Sequence, residues 1–192
     1  SARWRWGGGG DGGSVRRGVG LAGMWYGCGN TAMSNPSTIK VGLRQDGRIA
    51  LYQGAVDMGQ GANTVMTQIC ADAVGVDMSN IVTLGADTDT TPDAGKSSAS
   101  RQTFISGNAT YLAGTALRAR LLLLSGASDE AHLELDGSRL VVHDHGATTV
   151  VDLRALDADQ DGLVAVDTET YDPPTTALDA DAQVVTLADG QR

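Results

Sequence analysis

Cysteine and long apolar runs are both scarce in this 192-residue chain, and each shortage excludes a class of protein. The two cysteines, Cys28 and Cys70, lie far apart and lack Cys-x-x-Cys spacing, which excludes a disulfide framework and a cysteine metal site. We interpret them as buried free thiols of a reducing compartment. No apolar run reaches the roughly 18 residues of a membrane span, and no signal peptide is visible. We therefore expect a cytoplasmic location, with the periplasm left open.

The net charge of −9 is unevenly distributed along the chain. Residues 1–128 hold 11 Lys and Arg against 8 Asp and Glu, whereas residues 129–192 hold 3 against 15. The mildly basic first part suits an anionic ligand, and the acidic second part argues against nucleic acid as a partner. The length is sufficient for one domain with a hydrophobic core.

The most informative stretch is the turn Gly59-Gln60-Gly61, which lies between an apolar run at residues 49–52 and a helical pattern at residues 65–74. This order predicts a strand, a turn and the start of a helix. Glycines let a ligand approach the backbone closely, and unpaired N–H groups at a helix start suit an anion. The amide of Gln60 can donate and accept hydrogen bonds at once. Taken alone, however, such a turn is more often only a turn.

Further motifs follow this turn in a defined order. They are Thr64, a Thr-x-Pro-Asp loop that ends at Asp93, Ser98-Ala99-Ser100, and Gly107-Asn108-Ala109. Together with residues 17–22 and 41–49 upstream, this order resembles the molybdenum hydroxylases, the family of xanthine dehydrogenase and aldehyde oxidoreductase, in their large molybdopterin-binding subunit. The resemblance is dense over residues 17–124 and thins out beyond them.

The resemblance implies that two segments bind molybdopterin, the molybdenum cofactor, in its cytosine dinucleotide form. In the turn, backbone N–H groups and the Gln60 amide would hold the pterin and an oxygen ligand of molybdenum. In the second segment, hydroxyl and N–H groups suit phosphate and pterin oxygens, Ala99 aligns with the small residue beside the metal, and either Lys96 or Arg101 could contact the diphosphate. The implied cofactor-binding residues are Gly59, Gln60, Gly61, Thr64, Ser97, Ser98, Ala99, Ser100, Arg101 and Gln102.

Some features of the family are missing from this sequence. The family uses a glutamate near the C-terminal end of the subunit as catalytic base; no Glu here matches that motif, so no catalytic residue is assigned. The glycines of residues 7–13 lack the Phe and Lys of the family's glycine-rich loop and are interpreted as a linker. We expect a piece of a larger subunit, inactive alone, whose partners are the rest of that subunit and iron–sulfur and flavin modules. Because the family buries its cofactor between domains, Gln60 and Ser98 should be exposed here.

The hydrophobic patterns predict an α+β fold with a mixed β-sheet and packed helices, and they do not fit an all-parallel sheet. Residues 1–16 are predicted to be a glycine-rich lead-in, residues 17–128 the molybdopterin-binding core and residues 129–192 an acidic, β-rich segment of the same domain. Predicted strands lie at residues 18–28, 39–44, 49–52, 81–84, 133–135, 140–143 and 163–166, and predicted helices at residues 62–74 and 100–124. Residues 150–156 fit either a strand or a short helix.

Two glycines in the second predicted helix carry a further expectation. Gly107 and Gly114 each cost about 1 kcal/mol relative to Ala in a helix, so their presence predicts close packing against another element.

Two other patterns resemble metal sites. His143 and His145 lie two residues apart, which would put both imidazoles on one face of a strand at zinc-ligand spacing, but no third ligand cluster lies nearby. Residues 157–162 open like an EF-hand loop, but Thr168 stands where the bidentate Glu belongs, which favours an acidic turn. The rival functions are therefore a docking fragment of the same subunit without bound cofactor and an acidic calcium-binding domain.

Overall fold

The structure is a computed structural model that describes residues 19–23, 33–175 and 181. The predicted lead-in at residues 1–16 lies outside them, as does Cys28. Of the predicted strand at residues 18–28, residues 19–23 are described; they form no strand and their side chains are exposed, so the prediction is wrong there. Glycines at positions 20 and 23 explain this difference, because glycine weakens a strand and leaves little apolar surface to bury.

The described elements alternate between strands and helices in the first part and are mostly strands in the second. They are β1 (Ser37–Arg44), β2 (Ile49–Gln53), α1 (Ala62–Val74), β3 (Ile81–Gly85), α2 (Gly107–Ser125), β4 (His132–Asp136), β5 (Arg139–Asp144), β6 (Ala147–Asp152) and β7 (Leu163–Tyr171).

The strands form two sheets. The first has the order β3-β2-β1-β7, in which β1 is antiparallel to β2 and to β7, while β2 and β3 run parallel and are connected through α1. The second is an antiparallel sheet of order β4-β5-β6. The predicted α+β fold with a mixed sheet is therefore confirmed. The ambiguous segment at residues 150–156 divides, since β6 ends at Asp152 and a 3-10 turn follows at Leu153–Ala155.

The main core lies between the first sheet and the two helices. Alternate residues of β1, namely Ile39, Val41 and Leu43, are fully buried and belong to one hydrophobic cluster with Met66 of α1 and Leu117 of α2. This alternation is what a strand with one face on the core requires.

The two helices pack closely at the glycines of α2. A Cβ atom added at Gly114 would lie 2.7 Å from the Cβ of Ala73, and one added at Gly107 would lie 3.0 Å from Cδ1 of Ile69. The predicted close packing is confirmed, and its partner is α1. Because β2 leads into α1 and the polar loop leads into α2, this contact helps to bring the two predicted cofactor segments to the same end of the molecule.

The helix boundaries carry two further findings. Helix α1 ends as predicted at Gly75, whose φ of 82° is left-handed and whose N–H donates to Ala71 O at 2.8 Å. Cys70 of α1 is buried, and burial raises the pKa of its thiol to about 12. None of the helices in the described residues is both long enough and apolar enough to cross a lipid bilayer.

Candidate functional site

The turn between β2 and α1 is organised by Asp57. Its Oδ1 accepts hydrogen bonds from the N–H groups of Gly59 at 2.8 Å and Gly61 at 3.3 Å, and its Oδ2 accepts from Asn63 N–H at 3.0 Å. The bond from Asn63, followed by that from Gly59, stabilises the charged form and lowers the pKa of this carboxyl. The expectation that the N–H groups at the helix start are unpaired is therefore wrong for Gly61 and Asn63, since a carboxylate of the chain itself caps these two.

Sequence reasoning overlooked this capping role, although a signal for it was present. Aspartate is a favoured capping residue, and Asp57 stands two residues before a glycine turn that opens a helix. The residue at the cap position, Gly61, makes no side-chain capping bond, so the carboxylate reaches the helix start from four residues upstream.

The side chain of Gln60 bends back onto its own turn. Its Oε1 accepts from Met58 N–H at 2.6 Å, and its Nε2 donates to Val56 O at 3.2 Å. The flanking glycines have φ values of 103° at Gly59 and 86° at Gly61, and the space where their Cβ atoms would lie is open. Because an amide nitrogen carries two hydrogens, Gln60 still has one to offer to a ligand.

The second predicted segment is bonded to this turn through Ser97. Its Oγ donates to Val56 O at 2.7 Å, across 41 positions of sequence, and accepts from Gln102 Nε2 at 3.1 Å. Val56 O therefore accepts bonds from Gln60 and Ser97 alike. The structure thus brings together the two segments that the motif order associated with one cofactor.

Arg101 lies beneath the second segment and is fully buried. Its Nη1 donates to Ala94 O at 2.6 Å and Lys96 O at 3.0 Å, and its Nη2 to Asn35 O at 3.2 Å and Pro36 O at 2.6 Å. Burial lowers the pKa of the guanidinium, and the nearby negative charge of Asp93 opposes this effect. The Nε atom has no hydrogen-bond partner. The sequence interpretation had placed Arg101 or Lys96 at a cofactor diphosphate; the described contacts of Arg101 are to the chain's own carbonyls.

The backbone just before Arg101 is strained. Ala99 has a φ of 54° and Ser100 a φ of 52°, and left-handed conformations of non-glycine residues cost about 1–3 kcal/mol each. A π-helical turn follows at Gln102–Ser106, and regular α-helix begins only at Gly107. The predicted helix start near residue 100 lies two residues before the observed start of helical structure at Gln102, because Ala99 and Ser100 are left-handed, and the first five helical residues are π-helical. Strained residues and π-helical turns are both typical of functional sites.

An open pocket with a volume of ≈ 290 Å³ lies between the two segments. Its lining consists of Met58, Gln60, Ser97, Ser98, Ser100, Arg101, Gln102 and Thr103. Six of the predicted residues are among these, while Gly59, Gly61, Thr64 and Ala99 are not. Gln60 and Ser98 are exposed, as predicted.

One of the residues that line the pocket carries an unsatisfied buried acceptor. Gln102 is 9% exposed, and its Nε2 donates to Lys96 O at 3.3 Å and to Ser97 Oγ, while its Oε1 has no partner. Such an atom is costly to bury alone, and a ring that carries N–H donors, such as a pterin, would satisfy it. The exposed hydroxyls of Ser98 and Ser100 can donate to phosphate oxygens. The residues present therefore fit a ligand with the chemistry of molybdopterin.

The histidines do not form the arrangement that their spacing suggested. Strand β5 ends at Asp144, and His145 lies in the following turn with a φ of 45°. The prediction that His143 and His145 share one strand face is therefore wrong. His143 instead stacks against His132 of β4, with ring centroids 6.3 Å apart.

The acidic residues at 157–162 form a hydrogen-bonded turn. Oδ1 of Asp159 accepts from the N–H groups of Asp161 and Leu163, both at 2.9 Å, and Asp161 pairs with Lys40 Nζ at 3.1 Å. Across residues 19–23, 33–175 and 181, no three His, Cys, Asp or Glu side chains come together in a way that could hold a metal ion.

Comparison with known proteins assigns the chain to a family. The family model described as "Molybdopterin cofactor-binding domain" matches residues 6–187. The chain belongs to this family. The match confirms the resemblance to the molybdenum hydroxylases, and molybdopterin is the cofactor that this domain binds.

Relatives of the molybdopterin cofactor-binding domain are much longer proteins. The chain is 38% identical over 118 residues to the putative xanthine dehydrogenase molybdenum-binding subunit of Escherichia coli strain K12. These aligned residues cover 58% of this chain and 14% of that protein. It is 34% identical over 107 residues to the xanthine dehydrogenase of Emericella nidulans, and the aligned residues cover 55% of this chain and 8% of that protein.

A solved structure shows the same fold. The aldehyde oxidoreductase from Desulfovibrio desulfuricans ATCC 27774 matches with a TM-score of 0.57 and 22% identity, over 83% of this domain and 15% of that chain. The domain thus corresponds to a small part of each of these proteins.

Proposed function

We propose that the turn at residues 57–61 and the loop at residues 97–102 form one wall of the molybdopterin pocket of a larger molybdenum hydroxylase. The observation that supports this proposal is the pocket between these two segments, which the hydrogen bond from Ser97 Oγ to Val56 O joins to each other. When bound, molybdopterin supplies the two-electron redox chemistry by which aldehydes or N-heterocycles are hydroxylated with oxygen from water. The chain itself binds and orients the cofactor.

Each part of this wall contributes a different contact. The open space beside Gly59 and Gly61 admits the cofactor close to the backbone, and the remaining amide hydrogen of Gln60 donates to it. Gln102 Oε1 accepts from an N–H of the pterin, which satisfies a buried acceptor. Because Asp57 already caps the helix start with a negative charge, the anionic end of the cofactor is held by the Ser98 and Ser100 hydroxyls.

The form of the cofactor and the partners are finer parts of the same proposal. We expect the cytosine dinucleotide form, as the resemblance to the molybdenum hydroxylases implies, and electron transfer to iron–sulfur and flavin modules. Mild acid hydrolysis of the purified protein should release one cytidine monophosphate per molybdenum. Release of molybdenum and pterin without cytidine monophosphate would overturn the dinucleotide form alone.

Replacement of Gln60 tests the proposed wall. In the full molybdenum subunit, Gln60→Ala removes a donor to the cofactor, and loss of one such buried bond costs about 1–3 kcal/mol. Molybdenum measured by mass spectrometry and pterin measured by fluorescence after oxidation should both fall. The matched control is Gln68→Ala, an exposed position on α1 away from the pocket, which should keep both. Unchanged molybdenum and pterin in a folded Gln60→Ala protein would contradict the proposal.

A further inference from the structure

We propose that Arg101 is a positioning residue, which holds the strained loop before it in the shape of the cofactor wall without touching the cofactor itself. This inference rests on the proposed function of the pocket. A positive charge beside an anion site would suggest a contact with the cofactor diphosphate. This inference assigns a different role to Arg101.

The guanidinium of Arg101 joins two segments that are remote in sequence. Nη2 donates to Asn35 and Pro36, just before β1, and Nη1 donates to Ala94 and Lys96, just before the serine loop. These four bonds use all the hydrogens on the two Nη atoms. The loop is therefore bonded to the base of the first sheet through a single side chain.

The same residue closes the loop that carries the pocket hydroxyls. Arg101 N–H donates to Ser98 O at 3.3 Å, and Arg101 O accepts from Ile105 N–H at 2.7 Å in the π-helical turn. Together with the bond to Lys96 O, these contacts fix both ends of the segment that contains the left-handed Ala99 and Ser100. A strained backbone of this kind persists only where its surroundings hold it.

The burial of Arg101 favours a role in positioning the loop over a direct contact with the cofactor. Its side chain is fully buried, and both Nη atoms donate to carbonyl oxygens of the chain itself. Gly95 provides the room for it, since a Cβ atom at that position would lie 2.7 Å from Nη1. Lysine cannot reproduce this arrangement, because its ammonium is a point charge without the planar fork of five N–H donors.

Hydrogen–deuterium exchange of the full molybdenum subunit tests the positioning role independently of bound cofactor. In Arg101→Lys, the backbone amides of residue 101 and Ile105 should exchange about 10-fold faster, which corresponds to ~1.4 kcal/mol. Gly95→Ala disturbs the guanidinium without replacing it and should raise the same two rates. The matched control is Arg118→Lys. Arg118 also donates to three backbone carbonyls, those of Val74, Asp129 and Ala131, but it lies away from the pocket. That variant should leave both exchange rates unchanged.

Rescue by glycine distinguishes loop positioning from charge. Glycine adopts left-handed φ without strain, so Ala99→Gly should lower the energy of the loop shape and leave the Ser100 hydroxyl in place. We expect Arg101→Lys to lower bound molybdenum and pterin about 10-fold (~1.4 kcal/mol), and the added glycine to restore at least part of this loss. Wild-type exchange rates in Arg101→Lys would overturn the positioning role. Full cofactor retention in Arg101→Lys, or no rescue by glycine, would equally contradict it. A wild-type protein that holds no molybdopterin would instead refute the proposed function, while the exchange rates would still report on Arg101.

Discussion

The hydroxyl of Ser97 donates a 2.7 Å hydrogen bond to the backbone carbonyl of Val56, and this bond joins two segments of the site that are 41 positions apart. The same carbonyl accepts from Gln60 Nε2. The glycine turn and the serine loop therefore share one acceptor, so a displacement of either segment affects the other. The shape of the pocket therefore depends on both segments.

Removal of the Ser97 hydroxyl should separate the two segments. Ser97→Ala loses the bond to Val56 O and the acceptor for Gln102 Nε2, at a cost of about 0.5–1.5 kcal/mol per bond. We expect lower stability in urea and lower molybdopterin content. The control is Ser125→Ala, whose hydroxyl donates to Leu121 O and Leu122 O at the end of α2. That change should reduce stability similarly and leave the cofactor content unchanged; equal cofactor loss in both variants would contradict the prediction.

A comparison of two left-handed glycines separates backbone strain from ligand space. Gly61 opens α1 with a φ of 86°, and Gly126 ends α2 with a φ of 67°; both have open space at the Cβ position. Valine at either site should cost about 1–2 kcal/mol, because left-handed φ is unfavourable for residues with a Cβ. Thermal unfolding should show similar losses, but only Gly61→Val should also lose molybdenum. Retained molybdenum in Gly61→Val would remove this turn from the pocket.

The contact between the helices predicts a purely structural effect. In Gly114→Val, the new side chain meets Ala73 of α1, and overpacking of this kind costs roughly 1–3 kcal/mol. The midpoint of urea unfolding should fall accordingly. Thr115→Val, at an exposed position of the same helix, should change it little. An unchanged midpoint for Gly114→Val would show that α1 and α2 pack less closely than the structure indicates.

The capping role of Asp57 predicts a pH-dependent stability. Hydrogen bonds from Asn63 and then Gly59 lower its pKa below the ordinary value of 3.8, so its stabilising contribution is present above that value. The contribution is lost as the pH falls through the lower pKa of the folded state. Asp57→Asn should therefore have a lower Tm than the wild type at pH 7, and the difference should shrink as the pH falls below 3.8. Asp72→Asn, on the exposed side of α1, serves as control. A difference in Tm that stays constant across this range would contradict the assignment.

Local sequence patterns predicted most of the fold. The β1–β2 hairpin, helix α1 with its end at Gly75, and strands β4 and β5 of the second sheet all follow short-range periodicity and turn residues. Gly107 and Gly114 predicted a close contact but not its partner, because the identity of the partner depends on tertiary packing. The helix start was misplaced for a related reason, since the left-handed residues Ala99 and Ser100 are not glycines and carry no sequence signal of their conformation.

The site was predictable as a set of segments but not as a set of contacts. Motif order located the glycine turn and the serine loop, and six of the predicted residues line one pocket. The motifs did not predict that Asp57 occupies the helix start or that Arg101 is buried beneath the loop. Both are interactions of a charged side chain with backbone groups, whose geometry depends on the folded path of the chain.

The most direct test of the cofactor wall is a crystal structure of the full molybdenum subunit with molybdopterin bound. The proposal predicts cofactor density in the pocket between the two segments. A pterin nitrogen should lie within hydrogen-bond distance of Gln102 Oε1, about 2.7–3.2 Å, and the Gln60 amide should contact the cofactor. The Arg101 guanidinium should remain on its four backbone carbonyls. Cofactor density elsewhere, with this pocket filled by water or by another part of the polypeptide, would contradict the account.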